Sequence, residues 1–164
     1  MTAIPLPRIV FFTGLAVWVA VSLTTALRAI DRTLLIPWGM ASLVFITAFI
    51  LWDRRPGRLP QLLLAAQSAS VVVMVAVLCN GLEGLLLVLV AAQLALVSDR
   101  RFGITWIVVQ SVAMGMGIGW HWSVSPGMLL SFPYFGFQLL MFVGLQLHAE
   151  ARRHPRFVVA GFQQ

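Results

Sequence analysis

Charge is confined to a few short stretches of this sequence, and the stretches between them run apolar for about 20 residues at a time. A helical run of that length matches the hydrocarbon core of a bilayer, roughly 30 Å thick. Lipid offers no hydrogen bonds, so a chain inside it must satisfy its own backbone as helices or as a closed barrel. These runs are continuously apolar rather than alternating, which argues against strands. Composition agrees: 60% of the 164 residues are hydrophobic and 10% are charged, against about a quarter charged in a soluble domain. The expected fold class is all-α, a polytopic membrane protein built as a bundle of about six transmembrane helices.

The breakers set the boundaries. Residues 1–150 are expected to form the transmembrane domain, with spans at about 9–29, 34–52, 60–79, 82–97, 102–122 and 128–147. Residues 151–164 follow as a short basic cytoplasmic tail. Pro5 and Pro7 precede the first span, where they break no helix. Arg8 is followed by an apolar run too long for a signal-peptide core, with no small-x-small cleavage site, so the first span is expected to be retained. Pro37 falls in the first turn of the second span, where a missing N–H is harmless. Pro56 and Gly57 break the chain between spans two and three. Spans three and four are joined within a few residues, Cys79 to Glu83, which makes a helical hairpin. Span four is roughly 24 Å long at 1.5 Å per residue, so it is expected to stand upright or to thin the bilayer around it. Ser125 is a candidate N-cap for span six with Pro126 at its first position, and Pro133 predicts a kink near Leu129.

All 11 basic residues are arginine. Six spans bring Arg8, Arg54, Arg55, Arg58, Arg100, Arg101, Arg152, Arg153 and Arg156 to one side and only Arg28 and Arg32 to the other. That asymmetry predicts both termini in the cytoplasm. Arginines at segment ends serve topology, so a nucleic-acid partner is not expected; the bilayer is.

No catalytic residue, cofactor site or metal site is expected. The chain has no P-loop, no Gly-x-Ser-x-Gly, no His-Glu-x-x-His and no nucleotide-binding glycine fingerprint. Its five acidic residues are scattered, and its one cysteine, Cys79, reads as a small packing residue. Polar groups inside the spans are few. Gln67, Gln93, Gln110 and Gln138 form an intramembrane layer that is either interhelical glue or a polar pathway. Gly115 and Gly119 give a GxxxG spacing at which two helix backbones can touch, inside the bundle or at a dimer seam. Trp120 and Trp122 read as interfacial belt residues. Asn80 and Glu83 match an Asn-x-x-Glu capping box that opens span four. Glu83 also stands across from His121, which closes span five. The pair is a candidate pH-responsive latch or ligand site on the outer face, with Asn80 beside it.

The hairpin carries a resemblance. Asn80-Gly81-x-Glu83-Gly84-x-Leu86-x-Val88-x-Val90-Ala91-x-Gln93-Leu94 resembles the membrane input region of bacterial sensor histidine kinases of the DesK-like type. Span six followed by Leu145-Gln146-Leu147-His148-Ala149-Glu150-Ala151-Arg152-Arg153 is similar to their exit helix. The resemblance covers roughly residues 1–153 and implies a bacterial cytoplasmic (inner) membrane. In such kinases the exit helix continues into a dimerisation helix and an ATP-binding domain. Here Pro155 breaks it, and His148 and His154 lie in no phosphoacceptor motif. The expectation is a non-catalytic signal-input module, either the sensor portion of a longer kinase or a stand-alone relative. It would work as a homodimer or through a membrane or kinase partner. A small transporter or channel subunit, and a structural or assembly subunit of a larger membrane complex, are the alternatives.

Overall fold

The structure, a computed structural model, describes residues 6–28, 32–52, 59–79 and 81–153. These form six helices: α1 (Leu6–Arg28), α2 (Leu35–Trp52, entered through a 3-10 turn at Arg32–Leu34), α3 (Leu59–Leu78), α4 (Gly84–Val97), α5 (Arg100–His121) and α6 (Val124–Arg153). Five are long and apolar enough to cross a membrane; α4 is apolar but shorter. Each expected span has its helix. Asn80, Asp31, Asp53, Arg54, Arg55, Arg58, Arg156 and most of the expected tail lie outside the described residues.

The shortest helix is the axis of the bundle. α4 packs against α1, α3, α5 and α6. Nine of its 14 residues are buried: Gly84, Leu86, Leu87, Leu89, Val90, Ala91, Ala92, Gln93 and Leu94. Span four, expected to stand upright or to thin the bilayer around it, is the helix that most of the others pack around. At 1.5 Å per residue α4 is about 21 Å long, and the surrounding helices bury most of it, leaving Leu85 and Val97 exposed. The longer helices face outward with Leu23, Ile36, Leu62, Val109, Leu129 and Leu140, all exposed. That is the surface a bundle turns toward hydrocarbon.

Close approach depends on small residues. A Cβ on Gly14 of α1 would lie 2.3 Å from the Phe49 ring of α2, and beside it Trp18 Nε1 donates to Ser42 Oγ at 2.9 Å. A Cβ on Gly127 of α6 would come within 2.6 Å of Gly115 O and Gly119 N of α5. The GxxxG face of α5 therefore receives α6 backbone against backbone. That contact also moves the start of α6. It begins at Val124 rather than near 128, its first turn closed by Gly127 N–H on Ser123 O at 3.1 Å. Pro126 consequently stands third in the helix and Ser125 within its first turn. There an absent N–H still costs no intrahelical bond.

Candidate functional site

The chain reverses between α3 and α4 through two left-handed residues. Cys79 (φ 46°) ends α3 and Gly81 (φ 81°) continues the turn. Glycine takes this conformation freely, whereas cysteine there is held by its surroundings. Glu83 follows with helical φ and ψ of −58° and −30° and makes no side-chain cap bond to α4. Its carboxylate points inward instead and has no solvent exposure.

Three other helices enclose this turn. Trp38 of α2 donates its indole Nε1–H to Glu83 Oε1 at 3.4 Å. Tyr134 of α6 donates its hydroxyl to Gly81 O. A Cβ on Gly84 would lie 2.5 Å from Met114 Cε of α5 and 2.7 Å from the Tyr134 ring, so only glycine lets α5 and α6 close over the start of α4. The Cys79 thiol is pushed above its ordinary value, first by burial and second by the negative charge of Glu83. The cluster is one buried carboxylate framed by an indole, a phenol and a thiol. Among the described residues no three His, Cys, Asp or Glu side chains meet as a metal site.

His121 makes its hydrogen bond to α3. Its Nε2 lies 2.6 Å from Ala76 O on α3, and the ring is exposed. Glu83 turns into the bundle toward Trp38 of α2, while His121 reaches sideways to the α3 backbone, so the hydrogen bonds shown here are not those of the expected latch. Antiparallel neighbours do share a level, but helix rotation decides which side chains face each other. Asn80, the expected capping-box partner, lies outside the described residues.

Deeper in the bundle the glutamines divide into two sets. Gln110 of α5 and Gln138 of α6 belong to a buried series of hydrogen bonds. Trp106 Nε1 donates to Ser68 Oγ at 3.1 Å, and Ser68 Oγ–H donates to Gln110 Oε1 at 2.9 Å. Gln110 Nε2 donates to Gln138 Oε1, and Gln138 Nε2 to Ser111 Oγ at 3.2 Å. The series ties α3, α5 and α6 together. Gln67 and Gln93 stand outside it. Gln67 is fully buried, and among the described residues neither its Oε1 nor its Nε2 has a partner, nor does Gln93 Oε1.

One face of α6 connects these features. Tyr134 holds the α3–α4 turn and Gln138 holds the glutamine series. Phe142 packs on Gly103, where a Cβ would lie 2.2 Å from its ring. Gln146 Nε2 donates to Ser98 O, between α4 and α5, at 3.2 Å. The four residues recur at every fourth position, a spacing that keeps them along one side of a helix. Sequence reasoning missed Trp38, Ser68, Trp106, Ser111, Tyr134 and Gln146. The available signal was that each carries a donor or acceptor within or beside an apolar run, where such groups seek partners. No protein-family model matches the chain, and neither curated proteins nor solved structures give a match.

Proposed function

We propose that this chain is a non-catalytic signal-input module of a bacterial cytoplasmic membrane. It has six spans and cytoplasmic termini, and its output is read by a partner or by a kinase core. The observation that carries the reading is the ladder Tyr134, Gln138, Phe142 and Gln146 on a single continuous helix. α6 has 30 residues, about 45 Å at 1.5 Å per residue, against a hydrocarbon core of roughly 30 Å. It is long enough to touch the outward turn at one end and to emerge beyond the membrane at the other. A change at the buried Glu83 cluster can therefore displace a helix that is exposed at His148, Glu150 and Arg152. The glutamine series is neutral, buried and internally satisfied, which favours a packing layer over a transport path for charge.

Spin labels at Leu147 on α6 and Leu51 on α2, both exposed, would test this in lipid nanodiscs. Glu83→Gln and Tyr134→Phe should each shift the label-to-label distance distribution. Gly136→Ala, where a methyl group meets nothing within 4 Å, should not. Wild-type distributions in both site variants would end the signalling reading.

A further inference from the structure

The flank between α3 and α5 holds a feature that the proposed signalling path does not use. The two helices close tightly at Gly117, where a Cβ would lie 3.5 Å from Val75 and 3.7 Å from the backbone of Val72 and Ala76. His121 on Ala76 O seals the same end. Toward the start of α5 they part, leaving a groove of about 540 Å³ between Ala69 and Val73 on one side and Phe102, Trp106, Val109 and Ala113 on the other. That volume is within the ordinary range of small-molecule sites, roughly 300–1,000 Å³. The polar groups at its floor are engaged with one another, Trp106 with Ser68 and Ser68 with Gln110. An occupant therefore meets hydrocarbon walls and needs no polar atoms along its length.

The mouth differs from the walls. Arg101 stands one turn before Thr105, which lines the groove and donates its hydroxyl to Arg101 O at 3.0 Å. Arg100 and Arg101 are both exposed and follow the exposed Asp99 in sequence. An apolar slot that ends at net positive charge is complementary to a molecule with a hydrocarbon tail and an anionic head. We propose that this groove binds one anionic phospholipid, with an acyl chain between α3 and α5 and the headgroup phosphate at Arg101. A guanidinium pairs well with phosphate, and juxtamembrane arginines attract anionic lipid. A second copy of the chain fits less well, because a symmetric parallel contact through this groove would set Arg101 against itself.

The test uses the full chain in neutral detergent, titrated with dioleoyl phosphatidylglycerol or dioleoyl phosphatidylcholine, with retained lipid counted by native mass spectrometry. The wild type should retain one phosphatidylglycerol in preference to phosphatidylcholine. Arg101→Gln should weaken that retention about fivefold, the worth of one arginine beside an anionic lipid. Arg8→Gln, an exposed arginine on α1, should leave it unchanged. Ala69→Phe should fill the groove and displace the lipid while circular dichroism stays helical. Equal retention of the two lipids by the wild type overturns the proposal, as does an Arg101→Gln protein that matches Arg8→Gln. A folded Ala69→Phe protein that keeps its phosphatidylglycerol overturns it too. If Ala69→Phe does not fold, the two arginine variants decide. The outcome is independent of the signalling reading, which rests on α6.

Discussion

Glu83 is buried, whereas the other described acidic residues, Asp99 and Glu150, are exposed. Its charge should be readable through Cys79, whose thiol it raises beyond the effect of burial. The thiolate is the reactive form, so Cys79 should alkylate slowly at neutral pH and faster as pH climbs. Glu83→Gln removes the second cause of the shift and should speed alkylation at pH 8, measured with a maleimide. An unchanged rate would separate the two groups electrostatically. The sign for stability follows from proton binding. The folded state holds this proton more tightly than an unfolded thiol of ordinary value 9.0. The thiol's contribution is therefore fully present below that pH and is lost as pH rises through the folded value. Glycines offer a second comparison. Gly127→Ala drives a methyl group into the α5 backbone and should cost about 1–3 kcal/mol. Gly144→Ala meets nothing within 4 Å and should be neutral or stabilising by up to about 1 kcal/mol. Reversible unfolding in mixed detergent micelles measures both.

Among the elements, α3 and α6 carry buried glutamines that should respond in opposite directions to the same replacement. Gln138→Leu cuts the series at its centre and leaves Gln110 and Ser111 each short of a partner. The expected loss is about 0.6–2 kcal/mol, the range for interhelical hydrogen bonds in lipid. Gln67→Leu removes an amide whose two polar atoms lack partners among the described residues, so it should be neutral or stabilising, since nothing bonded is lost. If both replacements destabilise equally, Gln67 has a partner in the membrane that the described residues do not supply. α4 has a different lesson. Its sequence is apolar on all sides, and so is a lipid-exposed span. Length separates the cases: 14 residues fall short of the roughly 20 that cross a bilayer, and burial among four helices removes the need to cross it alone.

For the whole molecule, the arginine asymmetry makes a topological prediction. Reporter fusions at Asp99 and after Gln164 should read cytoplasmic, and one at Ser123 should read outside. A cytoplasmic reading at Ser123 would rule out six spans. Bilayer thickness should act on the long outer helices first, because nine of the 14 residues of α4 are buried against its neighbours. Labels on α2 and α6 should therefore move apart or together across lipids of increasing chain length before any label on α4 moves.

Helix number, and helix limits to within a few residues except at α6, were readable from residue order, because hydrophobic run length, Pro, Gly and Arg act locally and lipid amplifies them. The same is true of Gly115 and Gly119 as contact residues, since a missing side chain advertises close approach wherever it is buried. What residue order could not settle was azimuth. In runs that are apolar on every side no stripe marks an inner face, so nothing local says which way a lone polar residue points. Packing alone turned Glu83 onto Trp38 and His121 onto Ala76 O. Packing also chose Gln110 and Gln138 for the bonded series while leaving Gln67 outside it. The shortest helix became the centre for the same reason: four longer helices can pack around a short one, and only the closed bundle reveals which helix lies inside.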